Sequence, residues 1–292
     1  MARSSVIASR VESLLGTPVV ATTPVTGGDI CTATRARLSD GTSVFVKTRS
    51  GAPEDFFTCE AEGLAAIGRA HPGLVPEVIA VAADCLILPW IEPGRPDTEA
   101  ATSLGADLAR MHAFGADAFG GPRDGWIGTL RLTNVAGRDD DTWARFYARR
   151  RVAPYADLAR DRGRLDPDDH AALMRLVERL EAGDDLAGPA EPPALLHGDL
   201  WSGNVVWRSG QSPLLVDPAA HAGHRETDLA LMALFGTPHL TAVLDAYDEA
   251  APLAEDWERR VPLHQVFPLL AHAVMFGGGY GSRAADAARK ML

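Results

Sequence analysis

The segment Leu195-Leu196-His197-Gly198-Asp199-Leu200-Trp201-Ser202-Gly203-Asn204 runs an apolar strand-like pair into a loop that carries a His, an Asp and, five residues after the Asp, an Asn. Val205-Val206-Trp207, a turn at Ser209-Gly210-Gln211, and Leu214-Leu215-Val216 then read as a β-hairpin that delivers a second acid, Asp217, ahead of Pro218. Each residue taken singly would serve as a turn cap. In this order they match the needs of phosphoryl transfer: Asp199 to accept a hydroxyl proton, Asn204 and Asp217 to hold Mg²⁺ against ATP phosphates.

The rest of the chain leaves few rivals. There is no GxxxxGK[ST], GxSxG, HExxH or strand-linked GxGxxG. The glycine cluster Gly277-Gly278-Gly279 follows a helical pattern and reads as a helix stop. With 292 residues, 46% hydrophobic and 23% charged, the chain can build a substantial core in two lobes. A net charge of -11 argues against general nucleic-acid or anionic-membrane binding. Cys31, Cys59 and Cys85 lack metal or paired spacing, and no apolar run reaches membrane length, so a reduced, cytoplasmic protein is expected.

Working outward towards the N-terminus, Ile7, Val11, Leu14 and Leu15 predict a short leading helix. Gly27-Gly28-Asp29 precedes two strands, Thr32 to Leu38 and Ser43 to Thr48, joined by an Asp40-Gly41 turn. These glycines suit either a tight turn or a backbone cradle for phosphate. Val44 and Val46 share one strand face, which leaves Lys47 on the other with Phe45. Beyond them an acidic helix, Phe56 to Ile67, carries Glu60 and Glu62; two residues apart on a helix, only one can pair with Lys47. A further hairpin spans Val78 to Trp90, and Pro93-Gly94-Arg95-Pro96 is the clearest linker. The expected lobes are therefore 1–92, strand-rich and nucleotide-binding, and 93–292, mostly helical, catalytic and acceptor-binding.

In the second part Leu104, Leu108 and Met111 mark an amphipathic helix, with His112 packed beside them. Residues 119 to 139 read as a structured loop, and Thr142 to Arg151 and Pro154 to Arg162 as two helices with a solvated charged face. Asp166-Pro167 and Gly183 bracket another helix. Three more follow the central motif, from Asp228, Leu240 and Pro262.

The sequence resembles the fructosamine/ketosamine-3-kinase family of small-molecule kinases. The resemblance runs from Gly27-Gly28-Asp29-Ile30 and Val44-Phe45-Val46-Lys47 through Glu60-Ala61-Glu62-Gly63-Leu64, Ile127-Gly128-Thr129 and His197 to Asn204. It continues in Asp217-Pro218-Ala219, Gly223-His224-Arg225-Glu226-Thr227-Asp228 and Gly279-Tyr280-Gly281. It implies an α+β, two-lobed, protein-kinase-like (aminoglycoside-phosphotransferase-like) fold, with a small β-rich N-lobe holding one key helix and a larger, mostly helical C-lobe. It implies ATP and Mg²⁺ as cofactors and a free or protein-bound ketosamine, phosphorylated at its C3 hydroxyl, as substrate in the repair of glycated amines. By the same resemblance Asp199 is the base, Asn204 and Asp217 are the metal ligands, Lys47 is the phosphate clamp and Glu60 its partner. Gly27, Gly28 and Asp29 cover the phosphates; Pro89, Trp90 and Ile91 form the adenine connector. Trp201 and His224 line the acceptor pocket, while His197 and Asp228 support the loop. Aminoglycoside or amino-alcohol acceptors and a silent nucleotide-binding scaffold are the alternatives.

Overall fold

In the computed structural model residues 2–26, 30–137 and 140–292 are described. The N-terminal part is a five-stranded antiparallel sheet in the order β1-β2-β3-β5-β4, formed by β1 (Val19–Val25), β2 (Thr32–Leu38), β3 (Ser43–Thr48), β4 (Ala80–Ala82) and β5 (Cys85–Pro89). Helix α1 (Ala2–Leu15) covers one face, where Val11 packs with Ala36, Val44, Val46 and Ile87. Helix α2 (Phe56–Ala70) lies on the other side. Strand β1 was not expected. Its sequence, VVATTPV, lacks alternation and carries Pro24, which an edge strand tolerates because one row of its N–H groups faces away from the ladder.

The C-terminal part is helical. Helix α3 (Thr98–Ala113) starts at Asp97, whose carboxylate accepts from the Ala100 N–H at 2.8 Å, and buries Leu104, Leu108 and Met111. It packs along α8 (Leu240–Ala250), and Gly105 makes this approach possible: a Cβ there would lie 2.1 Å from the Val243 carbonyl oxygen. Residues expected as a structured loop contain a hairpin, β6 (Gly125–Ile127) and β7 (Leu130–Leu132). The two predicted charged helices form one run, α4 (Trp143–Tyr147), a π-helical turn (Ala148–Val152) and α5 (Ala153–Asp161). Pro154 cannot donate back to the preceding turn, and the wider turn absorbs the mismatch. The charged face is not simply solvated, as Arg151 is 1% exposed and Arg150 pairs with Asp140 at 2.8 Å.

Helix α6 (Pro167–Ala182) begins at the Asp166 cap and ends at Gly183, whose φ of 82° is left-handed. The central motif follows as β8 (Ala194–Leu196), β9 (Val205–Arg208), β10 (Gln211–Leu215) and β11 (His221–Gly223), with β8 paired to β11 and β9 to β10. Helices α7 (Glu226–Leu234), α9 (Trp257–Phe276) and α10 (Tyr280–Arg289) complete the chain.

The connector from Trp90 to Asp97 has no regular structure, and Gly94 presses against the β9–β10 hairpin, its N–H donating to the Trp207 carbonyl at 2.7 Å. One hydrophobic core crosses it, joining Phe57, Leu64, Leu86 and Leu88 to Leu104, Leu108, Leu200 and Trp207. Among the described residues no helix is long and apolar enough to cross a membrane.

Candidate active site

Strand alternation places Lys47 with Phe45 on the cleft side of β3, while Val44 and Val46 face α1. The Lys47 Nζ lies 2.8 Å from Glu60 Oε2 and 3.0 Å from Asp217 Oδ1, so one ammonium joins β3, α2 and the loop after β10. Glu62, rotated off that helix face, pairs with Arg123 at 2.7 Å instead. Burial opposes the Lys47 charge, but the carboxylates of Glu60 and Asp217 outweigh it and its pKa is raised. Glu60 is pushed up by burial in spite of its contact with Lys47, and among the described residues its Oε1 meets no hydrogen-bond donor.

The loop after β8 is held from behind. Asp228, fully buried at the start of α7, accepts from the His197 N–H at 2.7 Å, the Gly198 N–H at 2.9 Å and His112 Nε2 at 3.1 Å. His197 Nε2 donates to the Val216 carbonyl at 2.9 Å, which fixes its tautomer and leaves Nδ1 to accept from the Asp199 N–H at 3.3 Å. Gly198, at φ 81°, permits the tight turn, since a Cβ would lie 2.2 Å from the Ala219 carbonyl oxygen. A short 3₁₀ turn, Ser202–Asn204, brings the Asn204 amide back: Nδ2 donates to the Asp199 carbonyl at 2.7 Å and to Asp199 Oδ2 at 3.1 Å. Asp217 adopts φ 57°, a conformation costly for most side chains and accessible to Asp, as the chain leaves β10 for the cleft. Burial, reinforced by the Asp217 charge, pushes the Asp199 carboxyl up to about 7.

Lys47, Glu60, Asp199, Asn204 and Asp217 line a cleft of about 770 Å³. Val25, Ala33, Leu88, Pro89, Trp90, Ile91, Val206 and Val216 form its apolar side. Trp90 is fixed by its N–H to Glu92 at 2.8 Å and by Arg35 over its ring at 4.5 Å. Opposite them Trp201, Phe235, His272 and Tyr280 make an aromatic wall, and Gly125, Trp126, Leu132 and Asn134 a third. Pro89, Trp90 and Ile91 stood among the expected site residues, but of the last two walls only Trp201 did. His272 was visible only as a histidine interrupting an apolar helix, and Asn134 gave no sequence signal.

His224 is a correction. It does not line the cleft; it is 4% exposed beneath Trp143, with ring centroids 5.1 Å apart. The chain turns inward after β11, and the His224 Nδ1 accepts from the Glu226 N–H beside the buried Glu226–Arg260 pair, whose closest contacts are 2.6 and 2.9 Å. Although His224, Glu226 and His264 lie close enough to share a metal, both Glu226 oxygens are committed to Arg260, so the cluster is an ion-pair network. Gly27, Gly28 and Asp29 lie outside the described residues.

The sequence model of fructosamine kinase matches residues 4–292. The chain belongs to the fructosamine kinase family. A relative from Enterococcus faecium, named a probable ketoamine kinase, is 34% identical over 89% of this chain and 91% of its own. The crystal structure of a Thermobifida fusca protein, provisionally named a fructosamine-3-kinase, superposes with a TM-score of 0.90 at 43% identity over 98% of each chain. The fold alone extends to a spectinomycin phosphotransferase solved with ADP and spectinomycin, at TM-score 0.58 and 12% identity over 99% of this chain and 93% of that one. This fructosamine kinase family member is thus a phosphotransferase of the α+β, protein-kinase-like fold.

This arrangement also fits a hard divalent cation. Two carboxylates, Glu60 and Asp217, share one ammonium, and Asp199 stands close enough to feel the Asp217 charge. Among the described residues one carboxylate oxygen of Glu60 meets no donor, and Asn204 keeps Oδ1 free while its Nδ2 is bound to Asp199. All the available donors are oxygens, as Mg²⁺ prefers.

Proposed function

We propose that the protein is an ATP-dependent ketosamine 3-kinase that phosphorylates sugar-derived ketoamines for repair of glycated amines. The observation that carries this reading is the meeting of Lys47 with both Glu60 and Asp217 at the mouth of the loop that presents Asp199. In this reading residues up to 92 form the nucleotide lobe, with adenine along Pro89, Trp90 and Ile91 and Lys47 against the phosphates. Residues from 93 onward carry the catalytic loop and the acceptor walls. Asn204 and Asp217 would hold Mg²⁺, which when bound neutralises phosphate charge and fixes the nucleotide.

Asp199 accepts the proton of the C3 hydroxyl as that oxygen forms its bond to the γ-phosphorus; the bond to the β,γ-bridging oxygen breaks and ADP leaves. Asn204 holds the Asp199 carboxylate towards the acceptor, and Trp201 packs on the acceptor itself. The three free thiols support a reducing, cytoplasmic setting.

The test is phosphorus NMR of products over fructosyl-, ribulosyl- and erythrulosyl-lysine beside spectinomycin and choline. A 3-phosphate on a ketosamine, absent with Asp199→Asn although that variant still binds ADP, is the expected result. Transfer only to the other acceptors would replace the substrate; undiminished transfer by Asp199→Asn would remove Asp199 from the mechanism.

A further inference from the structure

Asn134, two residues after β7, is 3% exposed yet lines the cleft. Three of its four polar positions are committed. Its N–H donates to Asp124 Oδ1 at 2.9 Å, its carbonyl accepts from the Gly121 N–H at 2.9 Å, and its Oδ1 accepts from Arg151 Nη2 at 2.6 Å. Because a guanidinium can only donate, the amide orientation is settled, and Nδ2 is the atom left over. Among the described residues no protein acceptor meets it.

Arg151 is an unusual clamp. It lies on the π-helical turn, 1% exposed, between the rings of Phe146 and Phe267, at 4.9 and 5.4 Å. Its hydrogen bonds go to the carbonyls of Thr133 and Arg150 and to Asn134, and among the described residues no carboxylate pairs with it. Burial lowers its pKa to about 10, so it stays charged at neutral pH. A buried cation that spends its strongest side-chain contact on orienting an amide polarises the N–H₂ at the far end of that amide.

The cleft's apolar β1–β5 side suits a nucleotide base, which leaves the aromatic wall and the β6–β7 wall for the acceptor. Gly128 and Met275, in close approach, join those two walls. We infer that the Asn134 side-chain amide, pre-oriented by Arg151, is a specificity-determining donor to an oxygen of the acceptor sugar. The identity of that acceptor rests on the ketosamine reading. Arg151 is a positioning residue and touches no substrate. A fixed, buried donor discriminates strongly, since an acceptor lacking the matching oxygen leaves it unpaired.

The test compares wild type with Asn134→Asp, which keeps the Arg151 contact but has no N–H to give, and with Asn134→Ala. KM for fructosyl-lysine is expected to rise roughly 10- to 100-fold in both, with KM for ATP unchanged. Melting temperatures show that both variants fold. In ¹⁵N spectra the Asn134 amide pair, assigned by its loss in Asn134→Asp, shifts with fructosyl-lysine and not with ADP. An acceptor KM within about twofold of wild type, against the cost of a lost hydrogen bond, or a parallel rise for ATP, overturns the inference. If wild type does not phosphorylate fructosyl-lysine, the ketosamine reading falls, and the same two readouts are taken with the panel acceptor it does bind. An amide pair unmoved by that acceptor, or a wild type that binds no acceptor, overturns the role of Asn134.

Discussion

Glu60 and Asp217 both pair with the single ammonium of Lys47, and Asp199 feels the Asp217 charge beside them. For Asp199 the folded state raises the carboxyl from 3.8 to about 7, so it binds its proton more tightly folded than unfolded. Stability from that difference is complete below pH 3.8 and is lost as pH rises through about 7. Asp199→Asn is therefore expected to raise the melting temperature of the nucleotide-free protein at pH 8, with the gain vanishing towards pH 4; calorimetry across that range checks it, and an equal shift at both ends would contradict the assignment. Glu60→Gln should cost roughly 10- to 100-fold in kcat/KM for ATP, the worth of a charge-assisted buried hydrogen bond. Glu62→Gln, bound only to the half-exposed Arg123, should change it little. Steady-state kinetics at varied ATP tests the pair. Much of this was legible beforehand: Lys47 is one of only two lysines in the chain, and its strand face followed from alternation. Helix spacing alone left Glu60 and Glu62 open and the family resemblance pointed to Glu60; the structure puts Glu60 on Lys47 and turns Glu62 to Arg123.

Among the elements, the β6–β7 hairpin is the least expected and closes the site from the C-terminal side. Trp126 Nε1 and Arg131 both donate to Asp55, at the start of α2, at 3.0 Å, and so tie the helix that bears Glu60 to the helical part of the chain. No pattern in residues 119 to 139 announced it, because strands of three residues are too short for alternation to show. Helix α3 was plain from its stripe, but not its intimacy with α8. Gly105→Ala drives a methyl to within 2.1 Å of the Val243 carbonyl oxygen, and backbone cannot yield as a flexible side chain can. The substitution should destabilise by about 1–3 kcal/mol, read as a lower urea midpoint at unchanged slope. An unaltered midpoint would mean that the two helices slide apart freely.

Across the molecule the two lobes share a core: Phe57, Leu64, Leu86 and Leu88 find partners on α3, β9 and the loop after β8. Unfolding in urea should therefore be one cooperative transition, coincident by near-ultraviolet and far-ultraviolet dichroism, and residues 1–92 expressed alone should not fold. Two separated transitions would show that the linker at Pro93 to Pro96 divides independent units. The same continuity explains why Lys47 and Asp217 stay within 3.0 Å although 170 positions separate them in the chain.

By itself the sequence determined the loop after β8, the strand and helix that bear Lys47 and Glu60, the striped helix α3, the capped helix α6 and the two-lobed class, because local periodicity and turn chemistry are written within a few neighbouring residues. The tertiary structure decided that His224 turns away beneath Trp143, that Arg151 is buried rather than solvated, and that Asn134 faces the cleft. Those outcomes depend on partners distant in the chain, and a side chain's burial is set by what packs over it, which no local pattern records.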